Sequence, residues 1–384
     1  MDFELSSADL RIRESVRGFA RDVLAPGARA ADENAAFDRS VVPKLGAAGL
    51  LAGPLPEDLG GRGWTHVQWS LAQMEVGTVD SSWRGFVTVQ GCLCGMLIAD
   101  HASLEQKEEL LPRLASGEWI FAYALTEPEA GTDVASLRTR ARREGSGYVL
   151  EGEKVWITSG GVADRILVFA TLDPDLGARG ITCFVVPGDA PGLVREPVPG
   201  QHLGHRGADH AVLRFEGVRV PETAVVGGLG NGFKVAMGGL DHGRLGVASG
   251  AVGIQRACEE LCLDFARKRR QFGRRIGDFQ LIQEVLTDMH VAREATELLT
   301  LKAAWLRDRG RPNTRAVSVA KYAASEAALK AADQAILLHG ARGYASTNPA
   351  GRFWRDAKGL QIYEGTSHIQ RIIIARDLLG KDLA

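Results

Sequence analysis

The chain has 384 residues with 46 Lys and Arg against 47 Asp and Glu, and 45% of it is apolar, the balance of a folded chain with a large core. A formal net charge of -1 gives no whole-molecule attraction to nucleic acid or to an anionic membrane surface, so neither is expected as a partner. At roughly 100–200 residues per domain, the length predicts two or three domains.

The opening residues Met1-Asp2-Phe3-Glu4-Leu5 are acidic and lack the basic stretch and apolar core of a secretion signal, so no export is expected. From Ser7 to about Gly117 apolar residues recur at helical spacing, as in Leu10, Val16, Phe19 and Val23-Leu24, or Leu104, Leu110-Leu111 and Leu114. The run Val87 to Ala99 is interrupted by Gln90 and falls short of the roughly 20 residues that span a bilayer, so it predicts a buried helix. Between about Ile120 and Val226 the texture changes to short apolar runs bounded by turn residues: Tyr148–Leu150, Lys154–Thr158, Ile166–Ala170, Thr182–Val186 and Ala211–Phe215. No amphipathic helix long enough for a parallel crossover lies between them, which predicts a small antiparallel barrel or sandwich.

After Gly232 the helical period returns over Val235–Arg267, Phe279–Arg309, Thr314–Leu338 and Ser367–Leu379. Phe279, Ile282, Leu286, Met289, Ala292, Leu299 and Ala303 form one stripe, expected in a bundle core. The predicted class is α+β, mostly α: an N-terminal helical domain (1–118), a central antiparallel β-barrel or sandwich domain (119–228) and a C-terminal four-helix bundle domain (229–384). Five cysteines are an odd number, and Cys92/Cys94 and Cys258/Cys262 lack the paired CxxC spacing of a zinc site. They predict buried reduced thiols, no metal, and a reducing, cytoplasmic compartment.

Gly228-Leu229-Gly230-Asn231-Gly232 satisfies neither common nucleotide-loop pattern and predicts a hinge between modules. His202, His205 and His210 lie in a Gly-rich loop beside a strand with no carboxylate at ligand spacing, so a surface or inter-module role is expected for them. Two segments carry more chemistry. Tyr123–Asp133 and Trp156–Gly161 each place backbone amides, small hydroxyls and an aromatic ring at the edge of the β module, which suits either a planar hydrogen-bonding ligand such as a flavin or ordinary turns around a core Trp. Near the end, Glu364 sits on a bend beside apolar Ile362 and Tyr363, just before a helix that could begin at Thr366 or Ser367. Desolvation there would raise its pKa toward the range of a general base; the alternative is that it only caps the helix.

These segments carry a resemblance that runs from end to end. YxxTEPxAGTD at Tyr123–Asp133, WITSGG at Trp156–Gly161, RxQFG at Arg269–Gly273, GxRGY at Gly340–Tyr344 and IYEGTSxIQR at Ile362–Arg371 resemble the acyl-CoA dehydrogenase family, with its order of helical, β and helical modules. The resemblance implies a noncovalent FAD flavoprotein, usually a homotetramer and at least a dimer, that takes two hydrogens from the α and β carbons of an acyl thioester. Glu364 would be the base, the hydride would go to flavin N5, and the Glu364 amide would help to polarise the thioester carbonyl. Tyr123, Leu125, Thr126, Gly131 and Thr132 match the strand edge over the flavin ring, and Trp156 and Thr158 the residues flanking it. Arg269, Phe272 and Gly340 match a patch that reaches the FAD of a neighbouring subunit, Thr366 matches a contact to the adenosine half, and His368 falls at a further cofactor-binding position. Leu337, Ala341 and His368 depart from the residues most frequent in the family.

For the substrate, Val79–Gln90 resembles the segment of glutaryl-CoA dehydrogenases whose arginine, here Arg84, holds a distal carboxylate; the alternative is an internal salt bridge. Asp241 and Arg244 match the substrate-facing DxxR, and Gly365 adjoins the base. An electron-transfer flavoprotein is the expected acceptor. Related flavoproteins of natural-product pathways act on acyl groups of an acyl carrier protein, some hydroxylated, and this chain is compatible with that tether too. A flavin oxidase or monooxygenase, or a noncatalytic scaffold on the same fold, are the other readings.

Overall fold

Three capping boxes fix where the N-terminal helices begin. Ser6, Thr65 and Ser103 each accept from the amide three residues on, and Asp9, Gln68 and Gln106 return the bond. The computed structural model describes residues 4–380. It opens with α1 (Ser7–Phe19), α2 (Ala25–Asn34), α3 (Val42–Ala47), α4 (His66–Gly77), α5 (Ser81–Val87), α6 (Met96–His101) and α7 (Leu104–Ser116). The expected buried helix over Val87–Ala99 is a π-helical stretch, Thr88–Gly95, running into α6, and its residues through Gly95 are buried. Gln90, the polar interruption of that run, donates to the carbonyl of Phe121 (2.7 Å) and accepts from its amide (2.8 Å), so it closes the free edge of the first strand.

The strands are β1 (Phe121–Ala124), β2 (Arg140–Glu144), β3 (Gly147–Thr158), β4 (Arg165–Thr171), β5 (Ile181–Pro187), β6 (Leu193–Pro197), β7 (His210–Pro221) and β8 (Val225–Val226). They form one sheet in the order β6-β7-β3-β2-β4-β5-β8, with β1 attached to β4. Most ladders are antiparallel, but the expectation of a purely antiparallel module needs correction. β1 runs parallel to β4, from Phe121 opposite Arg165 to Ala124 opposite Val168, and β2 meets β4 in a parallel bridge at Arg140 and Thr171. The crossover that a helix commonly supplies is made here by the β2–β3 hairpin, which is why the missing helix misled.

The chain then enters α8 (Gly232–Lys268), a short hairpin of β9 (Arg270–Gln271) and β10 (Arg274–Arg275), and the helices α9 (Gln280–Asp308), α10 (Thr314–His339), α11 (Pro349–Leu360) and α12 (Ser367–Leu379). The four expected segments are α8, α9, α10 and α12, and α11 is a further helix beside them. α11 buries Ala350, Phe353, Ala357 and Leu360 at i, i+3, i+7 and i+10, an amphipathic spacing present in the sequence. Of the predicted stripe on α9, Met289 and Ala303 are buried and Leu286 and Leu299 pack against the core. Facing it, α10 buries Ala320, Ala324, Ala328, Ala331 and Ala335, whose small side chains let α8 and α10 approach closely. α8 also packs on α4, so it joins the N-terminal helices to the C-terminal ones and forms the floor on which the polar residues below are assembled.

All five cysteines are buried and unpaired. Among the described residues no helix is long and apolar enough to cross a membrane, and no group of three or more His, Cys, Asp or Glu side chains is placed to hold a metal ion.

Candidate active site

Glu364 lies in the turn between α11 and α12 with φ of 57°, the left-handed region where a non-glycine residue is strained, and Gly365 follows at 84°. Two left-handed residues in succession reverse the chain and turn the Glu364 side chain onto α8. It lands on Gly243: a Cβ built there would stand 2.6 Å from Oε2, so only glycine leaves room for the carboxyl group. The turn is gripped from three sides. Arg244 Nε (3.3 Å) and Gln370 Nε2 (3.2 Å) donate to the Glu364 carbonyl, while Lys321 Nζ (2.7 Å) and Gln370 Nε2 (3.0 Å) donate to that of Gly365. Thr366, not Glu364, caps α12, its hydroxyl accepting from the amide of Ile369 at 3.3 Å.

Although the residue is only half-buried, Glu364 Oε2 itself has no accessible surface and no hydrogen-bond partner. Burial raises the carboxyl pKa to about 7, against the opposing pull of the Arg244, Lys321 and Arg84 cations. Of these, Arg244 is fixed by Asp241 (2.7 Å), whose other oxygen accepts from Thr314 (2.9 Å). Lys321, on the alanine face of α10, has its own pKa lowered by burial to about 8.

Arg84 is 0% exposed. A Cβ at Gly250 would overlap its side chain, so α8 again yields a glycine to a polar group. The guanidinium donates to Thr88 Oγ1 (3.2 Å) and to the Tyr363 hydroxyl, and its Nε has no partner. The internal salt bridge weighed for Arg84 does not form: among the described residues no carboxylate lies within ion-pair distance of it. Tyr363, the residue before the candidate base, also meets His205 Nε2 through its hydroxyl at 3.3 Å. Among the described residues, His202, His205 and His210 belong to no group placed to hold a metal ion. His205 reaches from the β6–β7 loop to α11, the inter-module placement its position predicts, and the His202 and His210 rings meet edge to face at 4.8 Å.

Beside this polar floor, Tyr123 is buried, its hydroxyl donating to the Ala236 carbonyl of α8 at 3.1 Å, and Leu125 is buried behind it. Trp156 is 56% exposed and, at φ of 58°, is turned out of the β3 ladder. Thr126 accepts from the Val155 amide at 2.9 Å, which brings the two motif segments edge to edge, and Thr158 continues that edge opposite His210. Gly131 and Thr132 lie on the exposed tip of the intervening loop. That loop is anchored by Glu127, whose carboxylate accepts from Lys154 Nζ (2.7 Å) and from the amides of Arg138 (2.6 Å) and Thr139 (2.9 Å). With so many donors the Glu127–Lys154 pair is an ion pair, its carboxyl held below the usual range despite burial.

The remaining motif residues are elsewhere. Arg269 ends α8 and Phe272, 93% exposed at φ of 51°, tips the β9–β10 hairpin. Gly340 ends α10, joined to that region by the Phe265 and His339 rings, stacked at 4.4 Å. Among the described residues no hydrogen bond, ion pair or ring contact links Arg269, Phe272 or Gly340 to Trp156 or Glu364. His368 is exposed on the first turn of α12. Lys321, Gln370, Gly243, Tyr363 and His205 were not singled out from the sequence for this site. A lone lysine on an alanine face is the one clear signal among them.

Similarity to known proteins runs along nearly the whole chain. The sequence models of the acyl-CoA dehydrogenase N-terminal, middle and C-terminal domains match residues 6–118, 122–218 and 230–379. An acyl-CoA dehydrogenase of Bacillus subtilis (strain 168) is 39% identical over 376 residues, covering 98% of this chain and 99% of its own. A structure of glutaryl-coenzyme A dehydrogenase in its glutaryl-CoA complex superposes with a TM-score of 0.96 at 34% identity, covering 99% of this chain and 97% of that one. The prolyl acyl carrier protein oxidase AnaB superposes with a TM-score of 0.94 at 32% identity, covering 98% and 100%. With all three domains matched in order and relatives aligned over nearly their full length, the chain belongs to the acyl-CoA dehydrogenase family, whose members are FAD-dependent oxidoreductases.

Proposed function

We propose that this protein is an FAD-dependent dehydrogenase of an acyl thioester, with Glu364 as the base and Arg84 as the receptor for an acidic acyl terminus. The observation that carries the first part is the enclosed, unpartnered Glu364 Oε2 with a carboxyl pKa raised to about 7. The second part rests on a fully buried guanidinium with no carboxylate at ion-pair distance among the described residues, an arrangement that is expensive unless an anion arrives from outside.

The residues present fit the flavin: Trp156 offers an exposed aromatic face beside the Thr126 and Thr158 edge, and the open Gly131 tip has nothing within 4 Å of a built Cβ. When bound, FAD supplies the acceptor for the hydride that leaves the β carbon. Glu364 takes the α proton on Oε2, and the new C=C bond forms from the electrons of that C–H bond. An α C–H is too weak an acid for a carboxylate unless charge is stabilised as it develops, and the Arg244, Lys321 and Arg84 cations lie close enough to Glu364 to act on that charge. Tyr123, Leu125, Thr126, Gly131, Thr132, Trp156 and Thr158 would hold the ring side. Thr366 is assigned to the adenosine half and His368 to a further cofactor-binding position. Arg269, Phe272 and Gly340 are assigned to the FAD of a second copy, since they sit apart from Trp156 in one chain, and this makes a dimer the smallest complete unit and a homotetramer the natural assembly. Asp241, Arg244 and Gly365 would line the thioester arm, which is the same whether coenzyme A or a carrier protein bears it. An electron-transfer flavoprotein is assigned as the electron acceptor of the enzyme.

Two measurements test this reading. The rate of anaerobic flavin bleaching should rise with pH through about 7, because the base acts only once deprotonated; a rate flat from about pH 5.5 to 8.5 would contradict the raised carboxyl. In a comparison of glutaryl with pentanoyl thioesters, offered on coenzyme A and on a carrier protein, the acidic chain should be preferred. Arg84→Met should cut that preference at least about tenfold, the worth of one hydrogen-bonded charge. Equal losses for both substrates would remove Arg84 from its role.

A further inference from the structure

Tyr363 and Arg84 pose a hydrogen-bonding question that the pocket itself answers. A guanidinium has five donors and no acceptor, so in the contact between them Tyr363 oxygen accepts. The phenol hydrogen must therefore go elsewhere. The nearby acceptor is His205 Nε2, 3.3 Å away. Asp356 O lies 3.2 Å from the same nitrogen, but it is a carbonyl in the middle of α11, already served by the helix ladder. The tautomer that would donate to Asp356 leaves a half-buried phenol hydrogen with no acceptor, whereas the one with its lone pair on Nε2 satisfies both side chains.

His205 is also built into place with effort. It has φ of 52°, its amide is bound by the buried Asp356 carboxylate at 2.6 Å, and its ring packs edge to face on Tyr363 at 5.5 Å. Gly359 makes room for the ring, since a Cβ there would stand 2.9 Å from Nε2. Burial and the neighbouring Arg84 charge lower its pKa to about 3, so the imidazole is neutral wherever Glu364 is ionised.

We propose that His205 is a specificity-determining positioning residue: by accepting the Tyr363 hydroxyl hydrogen it turns the phenol oxygen onto Arg84 and fixes the guanidinium to receive an acidic acyl terminus. The inference rests on the reading of Arg84 above. It also gives the β6–β7 loop a part in substrate choice, although that loop belongs to the sheet and not to the helices that line the site.

The test compares kcat and KM for glutaryl and pentanoyl thioesters in the FAD-loaded enzyme. His205→Phe, which keeps the ring and loses the acceptor, should lower the glutaryl-to-pentanoyl ratio of kcat/KM about tenfold, mainly through KM for the glutaryl substrate. His205→Asn, an acceptor that tolerates left-handed backbone, should restore part of it. Tyr363→Phe cuts the same link from the other side and keeps the inference testable if His205→Phe does not fold. The double variant should lose no more selectivity than either single one. Loss of selectivity in Arg84→Met but not in His205→Phe or Tyr363→Phe would overturn the role of His205 while leaving Arg84 in place. A wild-type enzyme indifferent to the acidic end would overturn both.

Discussion

Glu364→Gln should bind FAD and stay yellow when mixed anaerobically with a substrate that bleaches the wild-type enzyme, with the bleaching rate down by at least about a thousandfold. The amide is nearly isosteric and keeps the turn, whose left-handed backbone is held through main-chain carbonyls by Arg244, Gln370 and Lys321 rather than through the carboxyl group. What is lost is a carboxyl group whose Oε2 is unpaired and can take a proton. A second signature separates loss of chemistry from damage to the fold. The folded-state pKa of about 7 stands above the ordinary carboxylate value of 4.5, so ionised Glu364 is a burden on the native state. Stability from the protonated form is complete below about pH 4.5 and is lost as pH rises through about 7. Glu364→Gln, which never ionises, should therefore melt at a higher temperature than wild type at pH 8, with the gap closing toward pH 4.5. A variant that bleaches normally, or one that melts lower at pH 8, would be evidence against a desolvated base at this position.

Much of this site was legible before any coordinates, because its chemistry is written in short contiguous segments. Glu364 on a bend, Thr366 ahead of a helix and the two segments around Thr126 and Trp156, each at an edge of the β module, need only local spacing to be found. What escaped was the part that depends on where distant helices meet. Lys321 reaches Gly365 across 44 positions, Tyr363 reaches His205 across 158, and no local pattern marks either pair. α11 is a different case: Ala350, Phe353, Ala357 and Leu360 recur at helical spacing, so this helix could have been read from local pattern alone. The parallel β1–β4 pairing escaped because strand order is a long-range property, and a hairpin did the work that local rules assign to a helix. Conversely, Glu127 read as part of a ligand motif, and the structure puts its carboxylate to a structural use, anchoring the loop on Lys154.

The glycines of α8 show how tightly the scaffold and the chemistry are joined, and Gly243→Ala is the sharpest test of that coupling. Helix propensity alone favours the change, since alanine in a helix interior is better than glycine by roughly 1 kcal/mol. Yet the added methyl would stand 2.6 Å from Glu364 Oε2 and 2.7 Å from its carboxyl carbon, closer than atoms approach without something moving. The backbone of α8 is packed between α4 and α10, so the side chain is what yields. A displacement of about 1 Å in a base that must meet a particular C–H costs on the order of a hundredfold in rate. Gly243→Ala should therefore retain or gain thermal stability, keep its flavin, and lose about a hundredfold in kcat, with its pH midpoint moved from about 7 as the carboxyl group is pushed out of its enclosed position. Unaltered kcat in a folded, flavin-loaded Gly243→Ala enzyme would mean that the carboxyl group acts from somewhere other than the face of α8, and the site would have to be rebuilt around a different base.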